Sequence, residues 1–201
     1  IYAALVVGLG NRNVTPDALG PRCVDRLFIT RHIVKEYGRY AFSNENVNSV
    51  CGLVPGVMAQ TGMECLEIIK GVVGEVKPDF VVTIDALAAR STKRLGCTIQ
   101  LTDTGIVPGS GVGNHRDGIN HGNLGVPVIA IGIPTVIDAV TIVSDAVNAS
   151  RENTAKLISP KLNGMFVTPK DIDETVKRLA GLLSEGINMA FSNDEYDDYS
   201  E

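Results

Sequence analysis

The alternation of short β-branched segments with helical patterns is the feature that most limits how this chain can fold. Three of the four short segments are almost continuously apolar, as strands are when both faces of a sheet are covered. These segments occupy residues 2–8, 80–85, 97–103 and 126–133. Strands separated by helices form βαβ units. We therefore predict an α/β fold over a single domain, 1–192, with a mostly parallel twisted sheet and helices on both faces in three layers.

Apolar residues recur at helical spacing in the segments between and after these strands. The internal helices are predicted over 24–37, 57–76 and 136–148. A closing helix is predicted over about 169–190, with Thr168 as its N-cap and Asp171 in its first turn. With the strands, these helices account for most of the chain.

Two long segments, 39–56 and 104–125, carry neither the strand period nor the helix period, and the second contains seven glycines. Loops of this length are uncommon inside a compact domain and tend to serve function. In an open parallel sheet, ligands bind at the carboxyl ends of the strands. We therefore expect both segments to border a binding cleft at that edge.

The net charge of −5 is concentrated at the end of the chain, where five of the last eight residues are acidic. The remainder is neutral overall, and a neutral body has no field that would attract a polyanion. Nucleic acid is therefore not an expected partner. Residues 193–201 form an acidic tail that is predicted to be disordered.

The cysteines are widely separated and have no metal-ligand spacing, which is typical of reduced core residues in a cytosolic protein. They are Cys23, Cys51, Cys65 and Cys97. The N-terminus carries no charged-then-apolar leader, and no apolar run approaches the roughly 18 residues of a membrane span. We expect a cytoplasmic protein that does not bind a membrane.

The first predicted strand leads into Gly8-Leu9-Gly10, which resembles the start of a dinucleotide-binding loop. Asn13 replaces the third glycine of that motif, and no acidic residue ends a second strand at the expected distance. The later stretch GSGVGNHR lacks the Lys-Ser/Thr ending of a phosphate-binding P-loop. No nucleotide cofactor is therefore expected.

Three aspartates are placed where parallel strands would bring their side chains into one cleft. Asp17 follows the first strand, Asp85 ends the second and Asp103 ends the third. Two carboxyl groups in one cleft do not ionise together easily, so one should keep its proton near neutral pH. Such a pair supplies a base and an acid for the attack of water on an amide.

Each of these aspartates also has a purely structural interpretation. Asp17 could be a first-turn acid favoured by the helix dipole, and Asp85 could cap a helix that starts at Ala86. Asp103 suits an Asx-turn, which is slightly favoured over a catalytic role there. A charged group at the end of an apolar strand is costly, which favours function for Asp85. Asp138 is most simply a helix-start acid.

Other catalytic groups have weaker support in the sequence. The histidines, His32, His115 and His121, form no i, i+4 pair, and a metal site would need one of them to join Asp17 and Asp85. Ser110 does not lie in a nucleophile elbow. No metal is expected. The residues expected to bind substrate are Asn11 and, in the glycine-rich loop, Gly109, Ser110, Gly111 and Gly113.

Several long motifs, in one order, resemble the germination protease family of spore-forming bacteria. They are GLGNRNVTPDALGP, LVPGVMAQTGMECLEIIKG, IDALAARS, IQLTDTGIVPGSGVGN, LGVPVIAIGIPTVIDAVTI and MFVTPKDID. The resemblance implies an endopeptidase, made as a zymogen and assembled into tetramers, that degrades small acid-soluble spore proteins in the spore core during germination. It also implies a catalytic pair of aspartates in the motifs matched by Asp17 and Asp85.

The opening motif is also similar to that of the hydrogenase maturation proteases, in which acidic residues at like positions help bind nickel. That similarity implies a phosphorylase/hydrolase-like fold and leaves a metal-dependent maturation-type protease as an alternative. A non-catalytic ligand-binding paralogue is a further alternative. The tripeptide at 30–32 also occurs in peptidyl-tRNA hydrolases, but its spacing from Asn11 is wrong for that family and a neutral body is a poor tRNA binder.

Overall fold

The computed structural model describes residues 1–42, 47–113, 116–148 and 150–192, and within them it contains a six-stranded sheet. The strands are β1 Ala3–Gly8, β2 Ser49–Leu53, β3 Phe80–Ala89, β4 Gln100–Thr102, β5 Val128–Asp138 and β6 Phe166–Val167. Their order is β2-β1-β3-β5-β4, and β6 pairs with the far end of β5. The first four strands of this order are parallel, whereas β4 and β6 run antiparallel to β5. The predicted α/β fold with a mostly parallel sheet is confirmed.

Helices cover both faces of the sheet. They are α1 Leu19–Val24, α2 Arg31–Tyr37, α3 Met58–Thr61, α4 Cys65–Val76, α5 His121–Leu124, α6 Ala139–Val147, α7 Arg151–Leu157 and α8 Ile172–Phe191. On one face, α1 and α8 bury apolar residues against Val6, Ile84 and Ile133. On the other face, α4 and α5 pack against Leu5 and Val81. Alternate residues of each strand serve the two cores, as the pleat requires.

Strand β3 is longer than predicted, and this changes the position of Asp85. The prediction ended the strand at Asp85, but β3 continues to Ala89 because β5 pairs with it along that whole length. β1, in contrast, stops at Gly8, which lies opposite Ile84. Asp85 is therefore not at the end of its own strand. It lies where the neighbouring strand ends.

The third predicted strand runs in the opposite direction to the one expected. β4 is antiparallel to β5, with Thr102 opposite Ala130 and Gln100 opposite Gly132. Only a 3-10 turn, Thr92–Arg94, lies between β3 and β4, and so short a connection does not return the chain to a parallel start. As a result, Asp103 lies towards the opposite end of the sheet from Asp85, and the expectation that the two share an edge is wrong.

Several other element boundaries also differ from the predictions. The segment 39–56 contains β2, which pairs in parallel with β1. Of the predicted helix 24–37, only 31–37 forms a helix, because α1 ends at Val24. The predicted helix 57–76 divides at Gly62, whose φ of 73° ends α3. Asp171, not Thr168, occupies the N-cap position of the closing helix. Asp138 does begin a helix, because its side chain accepts a hydrogen bond from the Thr141 amide at 3.0 Å.

No helix within the described ranges is long and apolar enough to cross a membrane. The predicted acidic tail, 193–201, lies outside the described residues.

Candidate functional site

A pocket of about 580 Å³ lies beyond the carboxyl ends of β1 and β3 and contains both Asp17 and Asp85. One wall is the first turn after β1, and another is the glycine-rich loop at 107–112. Strand β3 contributes Ala86, Leu87 and Ala88. The pocket therefore occupies the edge at which open parallel sheets bind their ligands.

Asp85 is almost completely buried, with 4% of its surface exposed. Its Oδ1 accepts a hydrogen bond from the Ala86 amide at 2.9 Å. Burial, reinforced by the negative charge of Asp17, raises the pKa of the Asp85 carboxyl to about 8, and the Ala86 amide opposes this only in part. Asp85 therefore keeps its proton at neutral pH, as the sequence predicts for one member of a carboxyl pair.

Asp17 approaches the same pocket from the 3-10 turn Thr15–Asp17. Its Oδ2 accepts a hydrogen bond from the Asn11 amide at 2.6 Å. Burial raises the pKa of the Asp17 carboxyl, and this amide counteracts the rise. Asp17 is less buried than Asp85, so Asp17 is the member of the pair that ionises first.

The loop between β1 and Asp17 depends on Gly10, whose φ is 107°. A Cβ atom at this position would lie 2.1 Å from the carbonyl oxygen of Asp17 and 3.0 Å from its Oδ1. Backbone with this φ is strained for any other residue. Gly10 therefore allows the chain to fold back tightly enough to hold Asp17 beside the end of β1.

Gly10→Ala is expected to destabilise the fold by more than about 2 kcal/mol, because strained backbone and a backbone clash add together. It should also displace Asp17 and reduce any activity that needs this carboxyl. Gly74→Ala is the matched control, since Gly74 lies in α4 with nothing within 4 Å of an added Cβ. That change should stabilise by about 0.5–1 kcal/mol. Chemical denaturation gives the free energy of unfolding of both variants. Equal changes in the two variants would contradict the prediction.

Thr135 attaches the turn that carries Asp17 to strand β5. The register between β3 and β5 skips Thr135, since Leu87 lies opposite Pro134 and Ala88 opposite Val136. A bulge of this kind redirects a side chain. The hydroxyl of Thr135 donates a hydrogen bond to the Pro16 carbonyl at 2.7 Å, in a position where only 1% of the residue is exposed. The position of Asp17 is thus fixed from β5 as well as from its own loop.

Thr135→Val should leave the Pro16 carbonyl without this donor and cost about 1–3 kcal/mol of stability. Because Asp17 is the next residue, any activity that needs its carboxylate should also fall, by about 10- to 100-fold. Thr135→Ser keeps the hydroxyl and should retain most of the activity. Steady-state kinetics of the two folded variants checks this. A Val variant with wild-type kcat would show that the hydrogen bond does not position Asp17.

Asn11 supports the site from outside the pocket lining. Its backbone amide holds Asp17, while its side-chain oxygen accepts hydrogen bonds from Gln60 Nε2 at 3.1 Å and from the Asn13 amide at 3.0 Å. The sequence predicts substrate binding for Asn11. Asn11 is not among the residues that line the pocket, and its amide orients the Asp17 carboxylate.

The glycine-rich loop borders the pocket, as predicted for 104–125. Gly109, Ser110 and Gly111 line the pocket, whereas Gly113 lines a second, smaller pocket beside it. Of the described residues in the other predicted segment, 39–42 and 47–56, only Gly56 is among the lining residues. His115 lies outside the described residues.

The remaining predicted candidates lie elsewhere. Asp103 is exposed and is not among the lining residues. His32 is in α2 and His121 begins α5, and neither lines the pocket. In the described part of the chain, no group of three or more His, Cys, Asp or Glu side chains is arranged to hold a metal ion.

Three arginines that the sequence analysis did not single out also line the pocket: Arg90, Arg94 and Arg116. Arg116 Nη1 bonds Glu64 Oε1 at 3.1 Å, so its charge is partly balanced. Arg90 is the first residue after β3, and Arg94 ends the 3-10 turn that follows. Their position just after a strand that ends at the predicted cleft is the sequence signal that could have identified them. The connection that carries them is held by Asp145, whose Oδ2 accepts hydrogen bonds from the amide and hydroxyl of Thr92 at 2.7 and 2.9 Å.

The pocket also contains one thiol, that of Cys65, which donates a hydrogen bond to the Gly56 carbonyl at 3.3 Å. Burial, together with the charges of Glu64 and Asp85, raises the pKa of this thiol. It is therefore protonated at neutral pH and is a poor nucleophile. All four cysteines are free, but Cys97 is exposed, so the prediction that each is a core residue is wrong for Cys97.

These features define a class of protein: a three-layer α/β fold whose pocket, at the carboxyl edge of the sheet, holds one protonated and one more readily ionised carboxyl group. Comparison with known proteins gives the family. The sequence model for germination protease matches residues 2–154. The germination protease of Caldanaerobacter subterraneus subsp. tengcongensis is 50% identical in an alignment that covers 92% of this chain. That of Bacillus subtilis is 39% identical in an alignment that covers 94% of it.

The chain belongs to the germination protease family. It spans 65% of the length of the Caldanaerobacter relative and 66% of the length of the Bacillus relative. Among solved structures, a NiFe hydrogenase maturation protease, HycI from Thermococcus kodakarensis KOD1, is similar with 20% identity and a TM-score of 0.44. That alignment covers 91% of this chain and 90% of the other.

Proposed function

We propose that the protein is an endopeptidase that degrades small acid-soluble spore proteins during germination, with Asp17 as the base and Asp85 as the acid. Membership of the germination protease family supports the activity and the setting. The observation that carries the mechanism is the carboxyl pair in one pocket, in which burial and the Asp17 charge raise the pKa of Asp85 to about 8. A proton on one carboxyl and none on the other is the state that acid–base hydrolysis needs.

In the proposed reaction, water attacks the scissile carbonyl carbon while Asp17 takes one of its protons and Asp85 gives its proton to the carbonyl oxygen. The product of this step is a tetrahedral gem-diol. Asp17 then passes its proton to the leaving nitrogen as the C–N bond breaks, and Asp85 takes a proton back from one hydroxyl. Both groups return to their starting states. Amides of the glycine-rich loop, near Gly109 to Gly111, are the proposed donors to the oxygen on which charge develops, and these residues line the same pocket.

The setting of the reaction belongs to the same proposal. Small acid-soluble spore proteins are the proposed substrates, the spore core is the proposed compartment, and a zymogen that assembles into tetramers is the proposed form of the whole protein. Each follows from the resemblance of the sequence motifs to the family. The pocket needs no nucleotide or metal for the steps described, because the proton transfers use Asp17 and Asp85 alone.

The direct test is to incubate the purified protein with a purified small acid-soluble spore protein and to identify the fragments by mass spectrometry. We expect cleavage at defined peptide bonds, and the same fragments in the presence of a strong chelator. Loss of cleavage with the chelator, restored by a divalent metal, would favour a metal-dependent maturation-type protease. Peptide binding without cleavage would favour a non-catalytic paralogue.

A further inference from the structure

Strand β3 has an unpaired edge inside the pocket. β1 pairs with β3 only as far as Gly8, opposite Ile84, and the Leu9 amide donates the last hydrogen bond to the Ile84 carbonyl at 2.8 Å. β3 then continues to Ala89, with β5 on its other side. Within the described residues, no strand pairs with β3 on the β1 side beyond this point.

The direction of the backbone groups along this edge follows from the ladder. In a strand, the N–H and C=O of one residue point to the same side, and those of the next residue point to the other side. Because Ile84 bonds β1, the groups of Ala86 and Ala88 also point to the β1 side. The Ala86 amide is used by Asp85 Oδ1 at 2.9 Å. Within the described residues, no other strand or loop bonds the Ala86 carbonyl or the backbone groups of Ala88 on this side, so these groups face the pocket.

This edge is accessible and lies next to the carboxyl pair. Residues 81–85 of β3 are buried, but Ala86, Leu87 and Ala88 are partly exposed and line the same pocket as Asp17 and Asp85. The methyl side chains of the two alanines occupy little of the space above the sheet. The glycine-rich loop lies against the side-chain face of Ala88, since a Cβ on Gly111 would lie 2.9 Å from the Ala88 Cβ and 3.3 Å from its nitrogen. The free edge is short, because β3 ends at Ala89.

We propose that an extended polypeptide substrate binds here as an added strand, in the position beside β3 that β1 leaves empty. This rests on the proposed endopeptidase function. The Ala86 carbonyl and the Ala88 N–H and C=O pair with the substrate backbone, which lies about 4.8 Å from β3. The scissile carbonyl is thereby held against Asp85, the residue at the start of the free edge. Strand addition takes its affinity from main-chain bonds and its specificity from alternate side chains.

The first test uses peptides that span a bond cleaved in the spore protein, each N-methylated at a single backbone nitrogen. Only every second residue of an added strand faces β3, so we expect kcat/KM to fall at least tenfold at alternate positions and little between them. A uniform profile, or a loss at several consecutive positions, would overturn the strand-addition mode. If peptides bind but are not cleaved, fluorescence anisotropy of the same series shows whether N-methylation weakens binding at alternate positions. Failure of the endopeptidase function is thereby distinguished from failure of strand addition.

The second test removes one donor from the enzyme. Ala88→Pro deletes an N–H that takes no part in the β3–β5 ladder, so the sheet should survive, and KM should rise at least tenfold. Ala88→Ser retains the N–H, so its KM should rise less than that of the Pro variant. Circular dichroism establishes that both variants are folded. A folded Pro variant with an unchanged KM would refute the pairing at Ala88.

Discussion

Asp85→Asn and Asp17→Asn are each expected to reduce the kcat for peptide hydrolysis by about 10²- to 10⁴-fold, the usual contribution of a positioned acid or base. Asparagine at position 85 keeps the oxygen that accepts the Ala86 amide but cannot donate the proton that Asp85 holds at neutral pH. Asparagine at position 17 can still accept from the Asn11 amide but cannot take a proton from water. Both changes therefore remove the chemistry and keep the main hydrogen bond.

Asp103→Asn is the matched control for these variants. It makes the same chemical change at an exposed aspartate that is not among the pocket residues, so its kcat should remain near the wild-type value. Turnover is measured on one peptide for all three variants, after thermal unfolding has shown that each is folded. A folded Asp85 or Asp17 variant that retained more than about a tenth of the wild-type kcat would exclude that residue from the acid–base steps. A large loss in the Asp103 variant would bring that carboxyl back as a candidate.

The pH dependence of stability gives the second large effect. Burial raises the pKa of Asp85 from 3.8 to about 8. Below about pH 4 this residue is neutral in both folded and unfolded chains. Between about pH 4 and about pH 8, Asp85 loses its proton in the unfolded chain but keeps it in the folded protein. The folded state then binds more protons, so its contribution to stability falls as the pH rises, by at most about 1.4 kcal/mol per unit.

Asp85→Asn removes this contribution, so the variant should be more stable than the wild type near pH 8 and the difference should shrink towards pH 4. Asp25 and Asp138 have lowered pKa values and contribute stability that is lost as the pH falls. Because both proteins contain these groups, subtracting the wild-type free energy of unfolding from that of the variant isolates the contribution of Asp85. Urea denaturation across this range gives the free energy of unfolding for both proteins. A constant difference between wild type and Asp85→Asn at every pH would show that Asp85 is not protonated in the fold.

The sequence favoured function for Asp85 because a charged group at the end of an apolar strand is costly. Asp17, in the loop after the first strand, had an equally good structural interpretation, and its assignment to the pair rested on the family motif. Sequence patterns did not give the length of β3, since its last residues, ALAA, have weak strand preference and form a strand only because β5 pairs with them. The direction of β4 could not be predicted either, because the apolar pattern of a strand is the same whether it pairs in parallel or antiparallel. The bulge that aims Thr135 at Pro16 depends on the register of two distant strands, which no local pattern records.

The double attachment of the Asp17 turn has a consequence for protein engineering. One attachment is the Asn11 amide within the loop, and the other is the Thr135 hydroxyl from β5, so the carboxylate is held by the scaffold of the sheet. Residues 107–112 form a separate wall of the pocket and take no part in either bond. The position of Asp17 and the shape of this wall are thus set by different parts of the chain. Under the proposed function, we expect side-chain substitutions confined to this wall to change which peptides are accepted while Asp17 and Asp85 stay in place.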